Sequence, residues 1–261
     1  MEDRIFFMHI AKTAGSYLNQ LFINEYGEDR VLTHVETKLR NMNKFKNDVA
    51  ENRIKVFSGH VYYTRWKEIA TSLGVSFKNI AVVREPVSHI ASHLLWLDHY
   101  NLPEKKAEYQ ALGESHRRLV DLIGAIKFDN IGDLDHFMTH LPAAGIQMLD
   151  NCQSRYFLCG PGSPVNFFEP ITLSHANTIV RATREFEFIM LQDNLDEHVV
   201  KLNSMLGTRM KPIKERINEA KSPRRIDTSN PIIRSILSKR LTVDSWLWRH
   251  VNMLNAEKKS I

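Results

Sequence analysis

The chain opens on Ile5-Phe6-Phe7-Met8-His9-Ile10-Ala11-Lys12-Thr13-Ala14-Gly15-Ser16, and this stretch decides how the rest is read. Six residues of strand-like, mostly apolar sequence end in a loop holding a lysine, two hydroxyls and a glycine. Leu18, Leu21, Phe22 and Tyr26 then recur at i, i+3, i+4 and i+8, the spacing of one helix face. Strand, tight loop, helix is the resulting expectation. A helix N-terminus behind such a loop offers free N–H groups and the positive end of the helix dipole to an anion. The loop is not of the Walker type, G-x-x-x-x-G-K-[ST], because Lys12 precedes Gly15. Taken alone, it reads equally as a βα turn with a solvated lysine.

A second segment has the same form. Asn79-Ile80-Ala81-Val82-Val83 reads as a buried strand, Arg84-Glu85-Pro86 follows, and Val87, Ile90, Ala91, Leu94 and Leu95 mark a helix face. Pro86 suits the first helical position, where its missing N–H costs nothing. Arg84 then falls at the C-terminal end of a strand and Ser92 in the second helical turn. Ligands of open α/β sheets bind outside the carboxyl ends of the strands. A guanidinium and a hydroxyl there can hold one phosphate from two sides. Arg84 alone reads as a surface ion pair; in company it reads as a phosphate clamp.

These segments resemble the two cofactor-binding motifs of sulfotransferases that use 3′-phosphoadenosine 5′-phosphosulfate, above all the carbohydrate branch that includes heparan-sulfate 2-O-sulfotransferase. His9-Ile10-Ala11-Lys12-Thr13-Ala14-Gly15-Ser16-Tyr17 is similar to that branch's H-x-P-K-[TC]-[AG]-G-[TS]-[ST], and Arg84-Glu85-Pro86-Val87 through Ser92 to its R-[DE]-P-V-x-x-x-x-S. The family's Gly-His strand end is matched by Gly59-His60, and its N-x-Q-[ST]-R by Asn151-Cys152-Gln153-Ser154-Arg155. Phe186 to Leu191, with Leu195-Asp196-Glu197, resembles its late strand and helix. The likeness spans about residues 5 to 206, with the motifs in the expected order. Ala11 departs from the usual proline and Tyr17 from a small hydroxyl residue that would bind phosphate.

The resemblance implies an α/β fold: a P-loop-like, mainly parallel sheet flanked by helices, as one sulfotransferase domain over residues 1–261. It implies a sulfuryl transfer from 3′-phosphoadenosine 5′-phosphosulfate to a hydroxyl, with 3′-phosphoadenosine 5′-phosphate as product and no metal required. Lys12 would meet the oxygen bridging sulfur and phosphorus. Backbone N–H groups of Thr13, Ala14, Gly15 and Ser16 would hold the 5′-phosphate, with the Thr13 and Ser16 hydroxyls, and the Tyr17 hydroxyl as an uncertain further donor. Arg84 and Ser92 would hold the 3′-phosphate. His60 is the candidate general base, its ordinary pKa being near 6.5; Glu36 and His34, after the second strand, are its rivals. Gln153 and Arg155 would bind an acidic acceptor or brace the site. A small-molecule kinase with a non-Walker loop and a non-catalytic nucleotide- or glycan-binding protein are the alternatives.

Composition narrows the choice. The chain has 261 residues, 43% hydrophobic, enough for one large α/β domain. Its net charge of +5 suits anionic ligands, such as the cofactor and an acidic glycan. No helix-turn-helix, zinc finger or aromatic RNA-binding pattern points to nucleic acid. The basic clusters Lys211 to Arg216, Lys221 to Arg225 and Lys258-Lys259 read as solvated surface, or as a rim that steers an acidic acceptor. No apolar run is long enough for a membrane span, and Met1 leads almost directly into a core strand. A cytoplasmic, bacterial protein is the expectation. Cys152 and Cys159, with six residues between them, read as buried thiols. His89 and His93, and His136 and His140, have i, i+4 spacing but no evident third ligand, so no metal site is expected.

Strands are expected near 4–10, 31–34, 54–58, 79–83 and 186–191, most of them followed by helical patterns. Residues 101–150 form a helical insertion, with helices over 105–126 and 131–141, placed either to shape an acceptor pocket or simply as extra packing. Residues 207–231 read as a long loop able to close over ligand. Residues 232–254 read as a helix anchored by Trp246 and Trp248.

Overall fold

In the computed structural model, which describes residues 4–50, 53–163, 165–213 and 222–257, the first apolar run forms β1 (Arg4–Met8), buried along its whole length. Four more strands follow: β2 (Val31–Leu32), β3 (Val56–Gly59), β4 (Phe77–Val83) and β5 (Phe188–Leu191). They lie in the order β2-β3-β1-β4-β5, and every neighbouring pair is parallel. The sheet is thus wholly parallel. His9 and Ile10 leave the strand, because the backbone turns into a loop in which Lys12 has φ +66°.

Helices join and cover the strands. They are α1 (Gly15–Tyr26), α2 (Val35–Lys38), α3 (Met42–Ala50), α4 (Tyr63–Leu73), α5 (Pro86–Asp98), α6 (Lys106–Ala111) and α7 (Glu114–Ala125). Then come α8 (Ile131–Thr139), α9 (Ala143–Leu149), α10 (Cys152–Leu158), α11 (Ala176–Thr183), α12 (Leu195–Leu206), α13 (Pro231–Ser238) and α14 (Thr242–Glu257). Side chains alternate across the sheet, as strand geometry requires. Ile5, Phe7, Ile80 and Val82 pack with α1 and α12 on one face. Phe6, Met8, Ala81 and Val83 pack with α3, α4, α10, α11 and α14 on the other, where Trp246 and Trp248 are half-buried against them. No helix among the described residues is long and apolar enough to cross a membrane.

The insertion builds a core of its own. Leu94 of α5 meets Leu119, Ile123, Leu134, Met138 and Leu149, closed by Ile236 and Leu237 of α13. The helix expected over 105–126 is broken at Leu112-Gly113, where the backbone extends; Arg117 reaches back to the Leu112 carbonyl at 2.6 Å. The helix expected over 232–254 is likewise two. Arg240, in the break between α13 and α14, donates to the Met138 and Thr139 carbonyls at the end of α8 at 2.7 and 2.6 Å. Those carbonyls have no partner inside their own helix, so the break satisfies a neighbour.

Of the expected loop over 207–231, residues 214–221 lie outside the described residues, as do Lys258 and Lys259. The described flanks are packed. Met210 is buried against α12 and its neighbours. Arg224, expected on a solvated or steering surface, instead turns inward. It donates to Asp98 at 2.6 Å and to the Ile123 and Ile126 carbonyls, with its guanidinium 4.0 Å from the Phe128 ring centre.

One buried polar cluster ties the last helix to the sheet. Asp244 accepts from the Gln153 and Ser154 N–H groups at 3.2 and 2.7 Å, capping α10. Asn151, at φ +48°, accepts from the Val243 and Asp244 N–H groups at 2.8 and 3.0 Å, satisfying the start of α14 in return. Burial raises the Asp244 carboxyl to about 6, so at neutral pH it is ionised and accepts from both donors. Asp244→Ala should lower the unfolding free energy by about 2 kcal/mol, the scale of a lost cap with a charged acceptor. Asp244→Asn, which keeps one acceptor, should lose roughly half as much in denaturant titrations. Equal losses would mean that Asp244 acts by volume alone.

Candidate active site

The C-terminal edge of a parallel sheet gathers whatever follows its strands. Here β3, β1 and β4 are neighbours, so His60, the Ala11–Ser16 loop and Arg84 emerge side by side. The β1 loop is strained: Lys12 and Ala14 both have φ +66°, left-handed for residues that carry a Cβ. Each such residue costs about 1–3 kcal/mol and persists only where its surroundings over-determine it. The helix behind it starts at Ala14, whose carbonyl accepts from the Tyr17 and Leu18 N–H groups at 3.1 and 3.3 Å. The N-cap residue, Ala14, has no side chain able to cap this end, and no acidic residue sits in its first turn. Gly15 is demanded by space: a Cβ there would lie 1.8 Å from the His9 ring.

Arg84 is held by its own backbone. The Gln153 side-chain amide accepts from the Arg84 N–H at 2.8 Å and donates to the Arg84 carbonyl at 3.0 Å. The guanidinium then reaches across to the Lys12 carbonyl at 3.3 Å. Lys12 and Arg84 are therefore close, and burial, followed by the Arg84 charge, depresses the Lys12 pKa below its ordinary value. Arg84 is lowered by burial, against the fields of Asp193 and Glu85. Neither cation makes a salt bridge with a described carboxylate. Glu85 is engaged elsewhere, accepting from the Ser88 N–H at 2.7 Å as the cap of α5 and pairing with Arg234 at 2.7 Å. Ser92 stands half-buried in the second turn of α5.

His60 follows Gly59 at the end of β3. Its Nδ1 lies 2.6 Å from the His9 carbonyl, an acceptor only, so Nδ1 carries the proton and Nε2 keeps a lone pair. Its backbone N–H donates to Glu36 Oε2 at 2.9 Å, and Glu36 Oε1 lies 3.2 Å from His34 Nδ1. Gly59 makes room for that carboxylate, since a Cβ would sit 2.4 Å from Glu36 Oε2. Burial lowers the His60 pKa, and the Glu36 charge and the His9 carbonyl partly restore it. The His9 and His60 rings lie 4.3 Å apart.

Lys12, Arg84 and His60 thus emerge at one edge of the sheet, while Thr13, Tyr17, Gln153 and Arg155 use their side chains on partners within the protein. The Thr13 hydroxyl, fully buried, donates its only proton to the Ile10 carbonyl at 2.9 Å and has none left for a ligand. The Tyr17 hydroxyl faces Asp196 of α12 and the Ile213 N–H, both at 3.4 Å. Gln153 and Arg155, expected as acceptor-binding or bracing, are both bracing: Gln153 positions Arg84. Arg155, with no exposed surface, pairs with Asp150 at 2.9 Å and donates to the Asp150, Phe167 and Glu169 carbonyls. Of the rival bases, Glu36 accepts from the His60 backbone N–H and lies beside His34 Nδ1, so the two rivals are joined to each other and Glu36 to His60. The residue that sequence reasoning passed over is His9, although it heads the first motif. A cavity of about 340 Å³ between α4 and the first half of β4 contains none of these groups.

His9 is pushed down to about 3, first by burial and then by the His60, His34 and Lys12 charges around it. The unfolded chain returns it to the ordinary value near 6.5 and binds an extra proton below that pH. Its contribution is complete above pH 6.5 and is lost as pH falls towards 3. Between pH 7 and pH 5 the wild-type chain should lose of order 1–2 kcal/mol more stability than His9→Asn. Parallel stability curves for the two proteins would show His9 to be solvated.

No protein-family model matches the chain, and no curated protein matches it. Among solved structures, it is similar to mouse sulfotransferase SULT7A1 complexed with PAP, with a TM-score of 0.40 and 13% sequence identity over 89% of this chain and 74% of that one.

Proposed function

We propose that the protein is a sulfotransferase that moves the sulfuryl group of 3′-phosphoadenosine 5′-phosphosulfate to a hydroxyl. One observation carries this reading: Lys12 and Arg84 are held together, half-buried, with no described carboxylate bonded to either. Two like charges brought out of water raise the energy of the ligand-free protein, and a polyanion at this edge reverses the cost. The strained loop and the uncapped end of α1 add N–H donors to the same place.

In this reading the loop from Thr13 to Ser16 holds the 5′-phosphate by backbone N–H groups, and Arg84 with Ser92 holds the 3′-phosphate. The acceptor O–H gives its proton to His60 Nε2. As the acceptor oxygen bonds to sulfur, the bond from sulfur to the bridging phosphate oxygen breaks, and Lys12 stabilises the charge left on that phosphate. Glu36, already on the His60 N–H, favours the imidazolium that forms. The work is positioning and electrostatics, as in phosphoryl transfer. The Gly59-His60 pattern and the net positive charge support a hydroxyl on an acidic carbohydrate.

Calorimetric titration without Mg²⁺ should show tighter binding of 3′-phosphoadenosine 5′-phosphate than of ATP or 5′-AMP. Arg84→Ala should weaken the bisphosphate roughly thirtyfold, as a charge-assisted contact of about 2 kcal/mol implies, and leave 5′-AMP nearly unchanged. A preference for ATP with Mg²⁺ would move a kinase to the front.

His60→Ala should cut transfer to a panel of acidic glycans roughly 10²–10⁴-fold, read as release of the bisphosphate, while its binding survives. The wild-type rate should rise with pH to a plateau reached by neutrality, because the acid limb belongs to His60 below 6.5. It should fall again below pH 10.5 as Lys12 loses its proton. Full activity in His60→Ala would assign the base to another group.

A further inference from the structure

Directly behind the loop, the fold assembles three buried side chains that the transfer reading does not use. His89 and His93 stand one turn apart on α5, and Cys152 opens α10 from far along the chain. They are 1%, 3% and 6% exposed, and one ligand atom from each lies within 4.8 Å of the others. Both ring nitrogens of His93 are buried without a hydrogen-bond partner among the described residues. A buried imidazole with two unsatisfied nitrogens costs about 1–3 kcal/mol for each group.

The neighbour supplies the second observation. His89 Nε2 lies 2.9 Å from the Ala11 carbonyl, so it carries the proton and leaves the Nδ1 lone pair available. A metal-bound histidine characteristically gives its other N–H to a carbonyl in this way. Burial keeps His89 neutral, at about 4, and keeps the Cys152 thiol protonated until something replaces the proton.

We propose that His89, His93 and Cys152 form a buried structural site for a thiophilic d¹⁰ cation, Zn²⁺ or Cu⁺. Two imidazoles and a thiolate are the donors such ions select over oxygen-seeking Mg²⁺ or Ca²⁺. Around such an ion, with bonds of about 2.0–2.3 Å, ligand atoms lie about 3.3–3.8 Å apart, so rotations of order 1 Å gather these three. Binding forms two metal–nitrogen bonds and one metal–sulfur bond and releases the Cys152 proton to solvent. It pins α5, which carries Ser92, to α10, which carries Gln153, beneath the Ala11 carbonyl. The site is independent of sulfuryl transfer and takes no part in it.

The test uses the full chain, reduced and freed of metal. It is titrated with Zn²⁺ against a chromophoric chelator and, anaerobically, with Cu⁺ against a Cu⁺ chelator; Co²⁺ serves as a spectroscopic probe of the Zn²⁺ arm. One equivalent per chain is expected in one arm, with a rise in Tm on loading. In the Zn²⁺ arm, the Co²⁺ adduct should show thiolate charge-transfer absorption. Cys152→Ser should abolish that band. Cys159→Ser should keep it. His93→Leu should weaken binding more than roughly a hundredfold, the upper scale of outer-shell losses alone. Because the His93 ring has no hydrogen-bond partner among the described residues, the metal-free Tm of His93→Leu should match or exceed that of the wild type, which separates loss of the site from loss of the fold. Failure of both ions to bind at one equivalent, or binding by His93→Leu as tight as wild type, would overturn the proposal.

Discussion

The placement of Asp244 governs more of this molecule than its position on the last helix implies. Its two oxygens hold the first N–H groups of α10. That fixes Gln153, whose amide clasps the Arg84 backbone from both sides. Arg84 in turn reaches the Lys12 carbonyl. A single chain of hydrogen bonds thus runs from α14 through α10 and the end of β4 to the loop after β1. Each link is buried or half-buried, so each is strong in a low local dielectric and costly to break.

This scaffold explains how an unfavourable charge arrangement persists. Lys12 and Arg84 repel, and both lose hydration, yet neither is neutralised by a bonded carboxylate among the described residues. Two acids nearby are engaged, Glu85 by the Ser88 N–H and Arg234, and Glu36 by His60 and His34, while Asp193 and Glu85 act on Arg84 through their fields. Two close cations and a strained loop thus share one edge of the sheet, held in place by the sheet and by the polar cluster around α10.

The fold was largely legible because its signals are local. Short apolar runs near 4–10, 31–34, 54–58, 79–83 and 186–191, most of them followed by helical patterns, specify a mainly parallel sheet. Helix breaks were missed at Gly113 and between Ser238 and Thr242, because apolar periodicity continues across both. What ends these helices is the distant groups satisfied there, such as Arg240 on the α8 carbonyls. Within the site, Lys12, Arg84 and His60 were legible because strand ends in a parallel sheet must share one edge. The partners taken by the Thr13 and Tyr17 hydroxyls were not, and for Gln153 and Arg155 the sequence left acceptor binding and bracing both open, since a hydroxyl or guanidinium in a motif does not disclose which partner it finds.

By itself, the sequence determined the parallel sheet, the edge at which the loop, Arg84 and His60 emerge, and the helical character of residues 101–150. These follow from short-range periodicity and from the geometry of strand–helix connections. Only the tertiary structure decided the order β2-β3-β1-β4-β5, the clasp of Gln153 on Arg84 and the use of Arg155 as a buried brace. It also decided that Cys152 stands beside His89 and His93. Those outcomes depend on contacts between residues far apart in the chain, where each polar group must take whatever partner the packed core leaves within reach.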